Sequence, residues 1–185
     1  MPMVTVHHVK GALNATQKEA LAEEMTHVLL TIEGGEDTEA GRSLAWVRFQ
    51  EVDNDDWYIG GTTGDRYVSA AGKFLVIVTV PEGSMEKTRK SQVHAAVNAS
   101  ILKITGTTDV AGAGRSAWVH VIEIPEGHWG TSGKTAGVMG IARIVGLAPQ
   151  SPLLDYPRAY FDAKDRLYNA AGFPADTAGR AVVRY

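Results

Sequence analysis

The sequence has no cysteine among its 185 residues. This absence excludes disulfides, thiolate nucleophiles and cysteine-bound metals together. Basic residues are not in excess either, since 18 Lys and Arg stand against 21 Asp and Glu for a formal net charge of −3. We therefore expect no nucleic-acid partner, because such proteins carry a basic footprint.

Long apolar runs are also missing. The longest wholly apolar stretch covers residues 74–78, which is far too short to span a membrane. The N-terminus shows no basic segment followed by an apolar one, as a signal peptide would. We expect a cytoplasmic protein with no membrane partner.

Metal-ligand spacing is likewise not found. The histidines His7, His8 and His94 do not stand with carboxylates at the intervals typical of metal sites. The sequence predicts no metal site and no cofactor.

What the chain does contain is an internal repeat. Residues 2–64 and residues 74–136 carry the same pattern at an offset of 72 residues. Matches at one offset indicate two copies of one supersecondary unit. The matching pairs include Val4 with Val76, Lys18 with Lys90, Gly34 with Gly106, Trp46 with Trp118, Glu51 with Glu123 and Trp57 with Trp129.

Each copy has the pattern of a strand, a helix and a second strand. Alternating or apolar segments predict strands at 2–9, 44–52, 74–80 and 117–124, and helical spacing predicts helices at about 15–32 and 85–104. Such a unit has parallel strands and a right-handed crossover. Two tandem βαβ units predict an α/β (α+β) fold, with a four-stranded sheet and both helices on one face. The other face is too apolar for water, so we expect other subunits to cover it.

The remaining residues lie outside the repeat. We expect one domain over residues 1–149, made of the two repeats, and a C-terminal arm over residues 150–185. Within the arm, residues 157–171 are expected to form a short helix that ends at Gly172. The aromatic residues of this segment favour a packing arm, and a lid over a pocket is the alternative.

The two copies differ most where they begin. Pro2 of the first copy falls on Phe74 of the second. Met1 is normally removed before a residue as small as proline, so the mature chain is expected to begin with the secondary amine of Pro2. An ordinary α-amino group has a pKa of about 7.7–8.0, and an apolar pocket or a nearby cation lowers it. Such an amine can move a proton between carbon and oxygen, or attack a carbonyl.

Three features together resemble the tautomerase superfamily: the start Pro2-Met-Val-Thr-Val, the βαβ unit and the loop Gly127-His-Trp-Gly-x-x-Gly133. The doubled arrangement and the aromatic tail are most similar to the cis-3-chloroacrylic acid dehalogenase group. The resemblance covers about residues 2–133 and, loosely, the tail. It implies a trimer of doubled units that uses Pro2 as the catalytic base or acid. The implied activity is that of an isomerase that interconverts keto and enol forms of a small carbonyl or 2-oxo acid compound.

The sequence departs from the family where the family carries arginines or acids. Those arginine positions hold Ala12, Pro81, Ser84, Trp46 and Trp118 here. The differences disfavour a dicarboxylate substrate and hydrolytic dehalogenation, and they favour less polar enolisable carbonyl compounds. Two alternatives stay open, namely a Pro2-dependent hydratase, decarboxylase or dehalogenase-like activity, and a non-catalytic member that binds a ligand.

Five residues are candidates for substrate binding. Arg48 and His120 occupy equivalent positions in the two copies. Arg48 is a candidate to bind an anion or a carbonyl, and His120 is a candidate hydrogen-bonding group. The alternative for each is a position at a subunit interface. Trp118 shares their face of the sheet. The remaining two are Trp129, as an apolar wall or a packing residue, and Arg115, for which a structural role in the recurring Ala-Gly-Arg-Ser turn is favoured.

Overall fold

The computed structural model describes residues 3–108 and 110–182. The strands are β1 (Met3–Val9), β2 (Trp46–Val52), β3 (Phe74–Pro81), β4 (Ala117–Ile124), β5 (Trp129–Thr131) and β6 (Lys134–Ala136). The α-helices are α1 (Ala15–Gly34), α2 (Glu39–Arg42), α3 (Lys87–Thr105), α4 (Val138–Ile144) and α5 (Asp155–Ala170). Among these described residues, none of the helices has the length and apolar character that crossing a bilayer requires.

The main sheet has four strands in the order β2-β1-β3-β4. Strand β1 runs parallel to β2, β3 runs parallel to β4, and the central pair β1 and β3 is antiparallel. This topology confirms the predicted fold class of two tandem βαβ units. Each unit places its first strand at the centre of the sheet and its second strand at an edge. The two units are therefore related by an approximate two-fold rotation about the centre of the sheet.

Helix α1 begins where the sequence predicts. The side chain of Asn14 accepts a hydrogen bond from the backbone N–H of Gln17 at 2.9 Å, and the Gln17 side chain accepts one from the Asn14 N–H at 3.0 Å. This reciprocal pair satisfies two backbone donors that the first turn leaves free. The helix ends at Gly35, whose left-handed conformation (φ 81°) is one that glycine adopts without strain.

The core lies between the sheet and the helices α1 and α3. Alternate strand residues such as Val4, Val6, Val76 and Val78 are fully or almost fully buried there. The opposite face of the sheet is open in the single chain and carries exposed apolar side chains. The largest of these are Trp46, Trp118 and Ile122, which are 59%, 66% and 42% exposed.

The C-terminal segment is more structured than the sequence predicts. Helix α5 matches the expected helix, and Gly172 follows it with a positive φ of 72°. Helix α4 and the β5–β6 hairpin are additional elements that the hydrophobic pattern does not reveal. Helix α4 and the turn at 152–154 line the cavity described below, and α5 contacts the second unit where Tyr160 bonds to Glu82.

Candidate functional site

Strand β1 begins beside an enclosed, mainly apolar space, which we call the terminal cavity. Met3, the first described residue, pairs with Thr79, and Pro81, two residues beyond Thr79, lines the cavity. One side is formed by the end of α1, by α2 and by the loop after β3. Helix α4 and the turn at 152–154 form the other side, and the volume is about 70 Å³. The C-terminal segment therefore covers the space at this end of β1.

The polar groups of the terminal cavity are few. The Ser84 hydroxyl lines it and is buried without a hydrogen-bond partner among the described residues. The carboxylates of Glu33 and Glu36 also line it, and no Lys or Arg among the described residues does. A buried hydroxyl without a partner costs free energy, so Ser84 is well suited to bind a polar atom of a ligand. The sequence marks this position only as one where the family arginine is missing.

Pro2, the predicted catalytic residue, lies outside the described residues. The cavity adjoins the end of β1 to which Pro2 is attached. Its catalytic role therefore stays a prediction.

A second space lies at the equivalent end of the other unit, and we call it the Trp118 groove. It is open to solvent, has a volume of about 440 Å³ and lies beside the beginning of β3. It brings together three of the predicted binding residues, Arg115, Trp118 and His120. The other lining residues are Trp57, Tyr58, Ile59, Tyr67, Phe74, Leu75 and Ser116.

A buried lysine holds one wall of the Trp118 groove. Lys73 is only 4% exposed, and its Nζ donates to Asn54 Oδ1 at 2.9 Å and to the backbone oxygens of Trp57 and Thr63 at 3.0 and 2.7 Å. These bonds attach the loop after β2 to the beginning of β3. Lys73 is a structural residue that the sequence analysis missed, because its three acceptors are neutral and lie in an irregular loop.

Tight packing fixes the same loop at a glycine. Gly60 has a positive φ of 59°, and a Cβ there would lie 2.6 Å from the Tyr67 ring. Only glycine allows the Tyr67 ring to approach the backbone so closely. The packing of Tyr67 against Gly60 therefore fixes the position of the aromatic wall of the groove.

The other two predicted binding residues lie elsewhere. Arg48 is on the opposite edge strand of the sheet, where its guanidinium donates to Thr5 Oγ1 at 3.1 Å. Trp129 is buried in β5, and its indole Nε1 has no hydrogen-bond partner among the described residues. Neither residue lines the Trp118 groove.

The repeat explains this division. Five groove residues have a counterpart 72 positions away in the sequence of the other unit, which is earlier for four of them and later for Trp57. The pairs are Phe74 with Pro2, Leu75 with Met3, Trp118 with Trp46, His120 with Arg48 and Trp129 with Trp57. The predicted binding residues therefore belong to two equivalent places, one at the start of each unit.

The two arginines of the recurring turn behave differently. Arg42 donates to Asp37 and Glu23, with distances of 2.7 Å from Nε to Asp37 Oδ1 and 2.7 Å from Nη2 to Glu23 Oε1. Hydrogen bonds from Arg42, and then from His27, hold the pKa of the Asp37 carboxyl below its usual value. Arg115 makes no such bond or ion pair within the described chain. The expected structural role thus suits Arg42, whereas Arg115 faces a groove.

Two acids, the partly buried Glu82 and the fully buried Glu126, attach the C-terminal segment to the second unit. Glu82 accepts hydrogen bonds from Lys164, from the Tyr160 hydroxyl at 2.7 Å and from the Glu126 N–H at 2.9 Å. Burial raises the pKa of Glu82, but these donors outweigh it and leave the pKa below its usual value. Glu126 is fully buried and accepts from the N–H groups of Val138 and Val182 at 3.1 and 3.2 Å. Burial dominates at Glu126 and raises its pKa.

Solved structures share this fold. The R7 fused 4-OT, an asymmetric trimer, is 18% identical with a TM-score of 0.59, over 75% of this chain and 98% of that one. Pt0534 inactivated by 2-oxo-3-pentynoate is 19% identical with a TM-score of 0.59, over 75% and 98% of the two chains. The protein N1, a member of the cis-3-chloroacrylic acid dehalogenase family, is 17% identical with a TM-score of 0.58, over 72% and 82%. No protein-family model and no curated protein matches the sequence.

These likenesses confirm the predicted resemblance at the level of the fold. The chain has the doubled βαβ fold seen in fused 4-OT proteins and in N1 of the cis-3-chloroacrylic acid dehalogenase family. No cluster of three or more His, Asp or Glu side chains suited to a metal is present in residues 3–108 and 110–182.

Proposed function

We propose that this protein is a tautomerase-type enzyme that uses the amine of Pro2 to interconvert keto and enol forms of a small carbonyl or 2-oxo acid compound. The observation that carries the proposal is the position of the terminal cavity. It adjoins the end of β1 to which Pro2 is attached, and it contains the unpartnered hydroxyl of Ser84.

The walls of the terminal cavity suit an amine that must exchange a proton near neutral pH. Apolar groups such as Pro81, Val138, Ile141 and Leu154 replace water there. Exclusion of water disfavours the ammonium form and lowers the pKa of an amine, whereas Glu33 and Glu36 act in the opposite direction. When these opposite effects leave the pKa of the amine near neutral pH, the amine serves as a base in one half of the reaction and as an acid in the other.

The proton transfers follow from that balance. The neutral Pro2 amine takes the hydroxyl proton of the enol, and the resulting ammonium gives a proton to the enol carbon, which leaves a ketone and the neutral amine. Negative charge on the substrate oxygen increases between these steps. The Ser84 hydroxyl is placed to donate a hydrogen bond to that oxygen, which stabilises the intermediate.

The charges of the cavity limit the class of substrate. Glu33 and Glu36 would repel a second carboxylate, and the family arginines that would bind it are absent. We therefore propose a substrate with at most one carboxylate. Arg48 does not line the terminal cavity and lies beside Thr5 on the open face of the sheet, so it is the proposed binding group only for a carboxylate or carbonyl that extends out of the cavity.

A trimer is part of the proposal. The open face of the sheet carries Trp46, Trp118 and Ile122, and such a surface is unusual on a monomer. The R7 fused 4-OT is a trimer. Light scattering is expected to give three times the chain mass, and a monomer at micromolar concentration would contradict this part of the proposal.

Covalent labelling tests the proposed role of Pro2. The compound 2-oxo-3-pentynoate, which inactivates Pt0534, has an alkyne carbon that an amine can attack. We expect one adduct for each chain, and peptide mapping is expected to place it on the Pro2 nitrogen. A mass that still includes Met1, or an adduct at another residue, would refute the proposed role.

A further inference from the structure

We propose that the Trp118 groove is a second ligand site, which binds a small planar monocarboxylate such as an aromatic acid. This site is separate from the proposed reaction site. The two spaces share no lining residue and lie at the beginnings of different units.

The lining of the groove has the chemistry that such a ligand needs. Five Trp, Tyr or Phe side chains line it, namely Trp57, Tyr58, Tyr67, Phe74 and Trp118, of which Phe74 is almost fully buried. A planar conjugated ligand can stack on these rings, which removes apolar surface of both partners from water. Trp118 is 66% exposed in the single chain, and the proposal requires that the trimer leave uncovered the part of its indole that lines the groove.

The groove also supplies donors for a carboxylate. Arg115 and His120 line it, and the lining includes no Asp or Glu. Within the described chain neither side chain makes a hydrogen bond or an ion pair. Arg42, at the equivalent turn of the first unit, is instead held by two carboxylates. The guanidinium of Arg115 is therefore available for a paired hydrogen bond to a ligand carboxylate.

The wall of the groove is formed before any ligand arrives. Lys73 attaches the loop that carries Trp57, and Gly60 allows Tyr67 to pack against that loop. On the other side, Ser116 Oγ accepts from the Ser69 N–H at 2.8 Å and donates to the Gly72 oxygen at 2.6 Å. A preformed site loses little conformational entropy on binding.

The groove has no group for the amine chemistry proposed at the other end. Phe74 occupies the place equivalent to Pro2 and is 1% exposed. Its backbone nitrogen lies inside the chain and donates to the Ser116 oxygen at 3.1 Å. The groove therefore binds its ligand without moving a proton through an N-terminal amine.

Calorimetry on the full-length, assembled protein tests the proposal with three probes. Benzoate is the test ligand, benzamide keeps its ring without the charge, and acetate keeps the charge without the ring. We expect benzoate to bind at one site per chain, with benzamide and acetate each at least tenfold weaker. Pro2→Ala is expected to bind benzoate as the wild type does, which separates this site from the proposed reaction site.

Variants assign the binding to the groove. Arg115→Gln and Trp118→Ala are each expected to weaken benzoate at least tenfold. Arg166→Gln, which removes the same charge from an exposed position of α5, is expected to leave it unchanged. Equal binding of benzoate and benzamide, or unchanged binding by Arg115→Gln, would overturn the proposal. So would a wild-type protein that does not bind benzoate while Trp118→Ala loses its oligomeric state, because the groove would then be an interface between copies.

Discussion

Arg48 and His120 lie in one row across the sheet, at its two opposite edges. Thr5 pairs with Arg48 on one side and with Ile77 on the other, and Ile77 pairs with His120. Three strand spacings separate the two residues, which is about 14 Å between their backbones. One small ligand therefore cannot bind to Arg48 and His120 of the same protomer at the same time. The distance between these two equivalent positions therefore supports our proposal that they serve separate sites.

Separate substitutions should distinguish these sites. Arg48→Gln is expected to raise the KM for a 2-oxo acid substrate about tenfold, because it removes a charged hydrogen-bond donor, and to leave benzoate binding unchanged. His120→Gln is expected to weaken benzoate and leave turnover unchanged. Steady-state kinetics and calorimetry on both variants check this. The reverse pattern would mean that the two sites have been assigned in the wrong order.

Lys73 should be important for stability although it forms no ion pair with a carboxylate among the described residues. Lys73→Met keeps the aliphatic stem but leaves Asn54 Oδ1 and the oxygens of Trp57 and Thr63 without their donor. We expect the free energy of unfolding to fall by about 2–4 kcal/mol, since each unsatisfied buried acceptor costs about 1–3 kcal/mol and the loop can partly relax into water. Urea denaturation measures this loss. Lys87→Met, at an exposed position, is the control and should change stability little.

Ser84 should matter for turnover and not for folding. Ser84→Ala removes a buried hydroxyl that has no partner within the described chain, so stability is expected to stay the same or to rise by about 1 kcal/mol. Turnover is expected to fall at least tenfold, because the substrate oxygen loses a donor. Thermal unfolding and steady-state kinetics, measured on the same preparation, separate the two effects. A destabilised Ser84→Ala protein with normal kcat would contradict the assignment.

The attachment of the C-terminal segment should depend on pH through Glu82. The pKa of Glu82 is below its ordinary value, about 4.3 when unfolded. Its stabilising contribution is therefore complete above that pH and is lost as the pH falls through the lower folded pKa. Glu82→Gln is expected to destabilise the protein by about 1–3 kcal/mol at pH 7, because Lys164 loses its partly buried partner. Urea denaturation across the acid range should show the difference from wild type shrinking as the pH falls, and a constant difference would contradict this account.

Local and repeated patterns made much of the fold predictable. The offset of 72 residues revealed two equivalent units, and Asn14 with Gln17 fixed the beginning of α1. Val4 and Val6 alternate along the predicted strand 2–9, and both are buried in the core. These features depend on neighbours in the chain, so a single sequence records them.

Contacts between distant residues were not predictable in the same way. Glu82 and Lys164 are 82 residues apart, and nothing in either local sequence indicates their pairing. The Trp118 groove likewise combines the loop around Trp57 with strand β4, and its shape depends on Lys73, which is buried against the usual preference of lysine. The sequence analysis named three groove residues, Arg115, Trp118 and His120, as binding candidates, but not the loop residues that meet them.

The most direct test of the central claim is the activity of Pro2→Ala, after intact mass has shown that the wild-type chain begins at Pro2. Keto–enol interconversion of phenylpyruvate, followed by absorbance, provides the assay. We expect Pro2→Ala to keep the wild-type fold by circular dichroism and to lose at least a hundredfold in kcat/KM. Turnover equal to that of the wild type would contradict the account.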